Sequence, residues 1–183
     1  MCMKKFTFLL LLLLSTRLFS QTVSSNVEFV GRKILVLQAK SDAIQVTGKL
    51  STGEIIKTGC DHGACYFRIE YKGRIIEKII GGDITKMSIY EFDFGGDGDN
   101  EIVVVNDSQS VDDNRQTSFI YIYSYSRGII EKLFEKEILY YKTIIKKDNI
   151  EYYMPSGLDS VWTYYQGQFW EMTQVDRNKF KVK

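Results

Sequence analysis

The residues with the clearest capacity for chemistry lie in one stretch, Tyr90-Glu91-Phe92-Asp93-Phe94-Gly95-Gly96-Asp97-Gly98-Asp99-Asn100-Glu101. Asp93, Asp97, Asp99 and Glu101 place four carboxylates within nine residues. In a compact loop their mutual repulsion costs stability unless a cation or full solvation offsets it. Hard oxygen ligands at alternate positions, with a glycine allowing a sharp turn, are what Ca²⁺ coordination requires. With Asp93 as position 1, an EF-hand needs a bidentate Glu at position 12, where this chain has Val104. The loop is therefore not an EF-hand, and a solvated acidic turn without an ion is the competing reading.

The segment Asp93-Phe94-Gly95-Gly96-Asp97-Gly98-Asp99-Asn100-Glu101-Ile102-Val103-Val104 resembles the calcium loop of the FG-GAP/VCBS repeat type, found in integrin-α-like propeller blades and in exported bacterial proteins. The resemblance implies a loop between two antiparallel strands. It also implies Ca²⁺ held by the side chains of Asp93, Asp97 and Glu101 and by the carbonyl of Asp99. Gly95 stands where the pattern has a further carboxylate or amide, so one ligand is missing. The likeness spans residues 90–105 and occurs once. A propeller needs several blades, more than roughly 160 residues can supply, so the resemblance concerns the loop and not the fold.

Other reactive residues are few. Cys60 and Cys65 stand in Gly59-Cys60-Asp61-His62-Gly63-Ala64-Cys65. The chain has three cysteines, but Cys2 falls within the N-terminal stretch expected to be removed as a secretory signal, and the even count that remains in an exported chain reads as a disulfide. The competing reading is a metal site of Cys60, Asp61, His62 and Cys65, although a structural zinc site normally draws a second ligand pair from elsewhere. His62 is the only histidine, and in an extended chain its neighbour Asp61 points to the opposite side, a poor triad geometry. The sequence has no nucleophile elbow, P-loop or dinucleotide fingerprint. Asp112 with Asp113 could serve glycoside hydrolysis, but charged loops offer such pairs widely.

Aromatic residues make up 14% of the chain. Phe119, Tyr121, Tyr123 and Tyr125 share one face of a strand, with Ile120 and Ile122 on the other. Trp162, Tyr164 and Trp170 belong to a second group near the C-terminus. Such residues either form the core of a β protein or stand exposed, where they stack on sugars or hold protein partners.

The elements that position these residues read as strands. Phe67 to Lys72 alternates apolar and charged residues, as a half-buried strand does. Ile34–Leu37 and Ile102–Val105 are continuous apolar runs suited to central strands covered on both faces. Glycines in Thr52-Gly53, Lys72-Gly73, Arg127-Gly128 and Gln166-Gly167 separate strand-like runs and mark hairpins. Residues 130–145 fit a short helix about as well as two strands, with context favouring strands. The expected fold is all-β, built mainly of antiparallel hairpins as a meander, sandwich or open barrel.

The N-terminus carries Lys4 and Lys5, an apolar run from Phe6 to Leu14, and a small residue at Ser20. These are the parts of a secretory signal, and the run falls well short of the roughly 18–20 residues that span a bilayer. Residues 1–20 are expected to be a signal peptide and 21–183 one β-rich domain, exported to the periplasm or secreted, without a transmembrane segment. Loss of Lys4, Lys5 and Arg17 with no acidic residue shifts the formal charge from +1 to −2. One histidine and a near-neutral balance exclude a His-rich metal enzyme and a broadly basic nucleic-acid binder. The expected function is that of a non-catalytic binding or interaction protein with a calcium-stabilised hairpin, meeting a protein or glycan in the cell envelope. Inhibition of, or immunity to, an envelope enzyme falls within that class. The alternative is an envelope hydrolase acting on glycan or peptide.

Overall fold

A computed structural model describes residues 27–40, 45–61, 64–80, 84–109, 116–139, 142–154 and 156–172. The expected signal peptide, His62, Asp112 and Asp113 lie outside the described residues. The described residues form strands and turns, with no helix among them.

The first half of the chain contains β1 (Val27–Val30), β2 (Lys33–Lys40), β3 (Val46–Lys49), β4 (Ile55–Asp61), β5 (Ala64–Tyr71), β6 (Arg74–Ile80) and β7 (Ile84–Phe92). The second half contains β8 (Glu101–Gln109), β9 (Gln116–Ser126), β10 (Ile129–Leu139), β11 (Thr143–Lys146), β12 (Asn149–Met154), β13 (Gly157–Tyr165) and β14 (Gln168–Met172). The described part of the segment that fitted both periods is strand, as β10 and β11. Its apolar residues find partners across strands: Phe134 lies opposite Ile122, and Ile145 opposite Ile150.

Among the described residues three sheets result, with no closed barrel. The central sheet has the order β10-β9-β8-β7-β2, a second sheet β3-β4-β5-β6, and a third β1-β11-β12-β13-β14. Among the described strands pairing is antiparallel except between β1 and β11, which run parallel. Both faces of the central sheet are covered. Met87, Ile89, Ile102, Val104 and Tyr123 pack against Ile56, Phe67 and Ile69 of the β3–β6 sheet. On the opposite face Val103, Val105, Ile120, Ile122 and Phe134 meet Ile145, Ile150, Tyr152 and Trp162 of the third sheet. β8 explains its own run: Ile102, Val103, Val104 and Val105 are all buried and alternate between the two cores. Full burial of each such side chain contributes about 1.5–3 kcal/mol.

Local chemistry sets the hairpins. Lys72-Gly73, Arg127-Gly128 and Gln166-Gly167 all have positive φ at both residues, between 48° and 85°. Two positive φ values make a type I′ turn, whose twist matches that of the flanking strands. Cys60 lies opposite Cys65 in the β4–β5 ladder, and the two form a disulfide. Both cysteines are buried in the core between the β3–β6 sheet and the central sheet.

Candidate functional site

The acidic loop connects β7 to β8, two antiparallel neighbours of the central sheet. It touches both flanking sheets. Toward the third sheet, Gly95 N–H donates to the Lys147 carbonyl at 2.7 Å, in the β11–β12 turn that Tyr164 N–H in turn holds through the Asp148 carbonyl at 2.8 Å. Phe94 is fully buried, with its ring 5.1 Å from Phe169 and 5.7 Å from Tyr164. Toward the β3–β6 sheet, Asn100 Nδ2 donates to Ser51 Oγ at 3.0 Å. Ser51 belongs to the β3–β4 turn and is held from below by buried Glu91. That carboxylate accepts from Ser51 N–H at 3.0 and 2.9 Å and from Ser51 Oγ at 2.7 Å. The loop thus fastens three layers at one end of the fold.

The four predicted carboxylates take different places. Glu101 is buried. Its Oε2 accepts from Phe94 N–H at 3.0 Å and its Oε1 from Tyr164 Oη at 3.0 Å. Burial pushes its pKa up to about 7 against these hydrogen bonds, and nearby Asp97 adds to the rise. Tyr164 in turn has its pKa raised by burial and by Glu101. Asp97 and Asp99 are exposed, with Asp97 Oδ1 accepting from Asp99 N–H at 3.0 Å in a local turn. Asp93 is half-buried, and its Oδ1 is enclosed without a hydrogen-bond partner. Among the described residues, no three His, Cys, Asp or Glu side chains converge as a metal-binding group.

Of the carboxylates a calcium ion would need, Glu101 already serves Phe94 and Tyr164, and Asp97 Oδ1 accepts from Asp99 N–H. A lysine also enters the loop. The Lys147 side chain lies so close to Gly96 that a Cβ there would fall 1.8 Å from Lys147 Cε, and Gly96 has a positive φ of 71°. Beside the loop is a cleft of about 430 Å³ lined by Arg32, Ile34, Ser51, Thr52, Asp93, Gly98 and Asn100. Two of its polar groups are already engaged: the Ser51 hydroxyl donates to Glu91 and Asn100 Nδ2 donates to Ser51 Oγ.

The aromatic candidates separate. Trp162 is buried against Phe134, ring centroids 5.6 Å apart, with Lys136 Nζ 4.5 Å above its ring. Tyr164 faces inward to Glu101. Trp170 stands on the outer face of the third sheet, 57% exposed. In the β9 row, Tyr123 is buried against Phe67, whereas Phe119 and Tyr121 are half-buried. The positions of Ser51 and Glu91, and the inward role of Tyr164, were not foreseen. Ser51 and Glu91 are 40 residues apart, and no sequence pattern links the two.

Comparison with protein-family models, with curated proteins and with solved structures finds no match for this chain.

Proposed function

We propose that this chain is an exported, non-catalytic binding module whose contact surface is the outer face of the β1-β11-β12-β13-β14 sheet, centred on Trp170. The exposure of Trp170 is the observation that carries this reading. Because Trp162 points inward, its neighbours Val161, Thr163 and Tyr165 point outward, and the register places Trp170 beside Thr163 and Met172 beside Val161. Tyr165 and Leu158 add exposed apolar surface at the ends of β13. Glu151 lies on this face, paired with Lys146 Nζ at 2.5 Å and Tyr153 Oη at 2.8 Å. An open face with exposed tryptophan and tyrosine and a locally neutralised charge suits a protein or glycan partner in the cell envelope. Inhibition of or immunity to an envelope enzyme remains within this reading.

Calcium belongs to the same proposal as a reinforcement of the acidic loop. Asp93 and Asp97 would supply side-chain oxygens, the unpartnered Asp93 Oδ1 being the local feature that favours a cation. With Glu101 engaged elsewhere, affinity falls in the weak extracellular range, about 10⁻⁴–10⁻³ M.

The chain has two tryptophans, and the buried position of Trp162 makes acrylamide quenching of emission a readout of Trp170. Titration with soluble peptidoglycan fragments and with purified envelope proteins should protect Trp170 from quenching, and Trp170→Ala should abolish that binding while the fold persists. Undiminished binding by Trp170→Ala refutes this surface. N-terminal sequencing of envelope or medium fractions should begin near Gln21; a retained leader refutes cleavage.

A further inference from the structure

We propose that the free edge of β6 is a self-complementary surface that pairs antiparallel with β6 of a second copy of this chain. Among the described residues β6 ends its sheet, hydrogen-bonded on one side to β5. The parity of its backbone groups follows from the hairpin. The Lys72-Gly73 turn has two positive φ values and is flanked by the pair Tyr71 and Arg74. In a two-residue hairpin that closing pair exchanges both hydrogen bonds, and the pattern then alternates. Arg74, Ile76, Lys78 and Ile80 therefore bond to β5, while Ile75, Glu77 and Ile79 direct N–H and C=O to the free side. No register shift interrupts the ladder.

The same three residues carry their side chains on the solvent face. Ile75 and Ile79 are 66% and 69% exposed. They stand symmetrically about Glu77, so a two-fold axis through Glu77 sets Ile75 of each copy opposite Ile79 of the other. Glu77 meets its own counterpart, but Arg68 on β5 forms an ion pair with Glu77. The central row of the joined sheet then reads Arg, Glu, Glu, Arg, and the outer cations offset the opposed carboxylates. A shift by two residues either way sets isoleucine against glutamate and loses this match. Each residue of the two central triplets contributes its N–H to the new ladder, so every outward-facing donor finds an acceptor.

The remaining edges suit pairing less. β2 and β10 are interrupted by register shifts, and β1, β3 and β14 have four or five residues. Bulges and short length are the means by which sheet edges avoid partners.

Two arms test the pairing in the full chain. Sedimentation across micromolar to millimolar protein should show reversible growth from monomer to dimer. Ile75→Lys/Ile79→Lys should weaken that association by about tenfold or more, since two cross-strand apolar pairs are lost. In the second arm, mild oxidation should link Glu77→Cys to itself, because directly opposed hydrogen-bonded residues have Cα atoms about 5.5 Å apart, within disulfide reach. Ile75→Cys alone should not link, but should link to Ile79→Cys when the two variants are mixed. Mass spectrometry of the joined peptides locates each bond. A parent that stays monomeric throughout, a dimer unaffected by the two lysines, or a dimer in which position 77 does not cross-link overturns the proposal. If the lysine variant loses its fold, the cross-linking pattern decides alone.

Discussion

Tyr164 donates its hydroxyl to Glu101 Oε1 at 3.0 Å, joining the third sheet to the first residue of β8 across 63 positions of sequence. Phe94 N–H binds the other oxygen. One carboxylate thus holds its own hairpin loop and the neighbouring layer. Tyr164→Phe should keep the ring packing on Phe94 and Phe169 but leave Glu101 Oε1 without its donor. We expect a loss of about 1–3 kcal/mol in urea unfolding, and no change would mean that water replaces the hydroxyl at no cost.

The two tryptophans should respond oppositely to truncation. Trp162→Ala empties a site between Phe134 and the β13 backbone and should cost about 3–5 kcal/mol. Trp170→Ala lies on the surface and should stay within about 0.5 kcal/mol of the parent. Chemical denaturation of both variants makes the comparison.

Alkaline pH should destabilise the fold through the β9 tyrosines. Burial pushes Tyr123 and Tyr125 up to about 12. Their neutral forms are favoured in the folded chain, so this contribution is fully present below the ordinary tyrosine value near 10. It is lost as pH rises from there through about 12. Absorbance titration of tyrosinate, followed alongside unfolding, should show a late-ionising class that Tyr123→Phe reduces. A tyrosine titration completed near pH 10 with the fold intact would contradict this.

The Cys60–Cys65 bond should protect both thiols from alkylation until a reductant is added, as counted by intact mass. Closing so short a loop stabilises by about 2 kcal/mol on the chain-entropy estimate, so Cys60→Ala/Cys65→Ala should unfold at correspondingly lower denaturant. Free thiols at both positions in exported protein would exclude the bond there.

Calcium at about 100 times its dissociation constant should raise stability by about 2.7 kcal/mol if it binds the folded loop alone. Thermal unfolding in calcium at about 10–100 mM, 100 times that dissociation constant, against chelator at matched ionic strength should show this for the parent and much less for Asp97→Ala. Identical curves for the parent in the two conditions would leave the loop as a hydrogen-bonded acidic turn.

Much of this architecture was legible along the chain because it depends on near neighbours. Alternation in Phe67–Lys72 predicted a half-buried strand, and β5 alternates between buried and half-exposed residues. The run at Ile102–Val105 predicted cover on both faces, and β8 has it. Glycine after Lys72, Arg127 and Gln166 predicted hairpins because only certain residues tolerate positive φ there. Cys60 and Cys65, the two cysteines left once Cys2 is set aside with the expected leader, predicted the disulfide. Residues 130–145 were ambiguous because short apolar runs satisfy both helical and strand periods, and cross-strand partners decided between them. Trp162 and Trp170 are the same residue type on adjacent strands, yet one is core and one is surface. That difference comes from pleat and register, since moving one position along a strand turns a side chain to the opposite face. The loop carboxylates show the same division. Their number and glycine spacing were plain in the sequence, but the inward turn of Glu101 required Tyr164, which only the packing of the third sheet brings within hydrogen-bond reach.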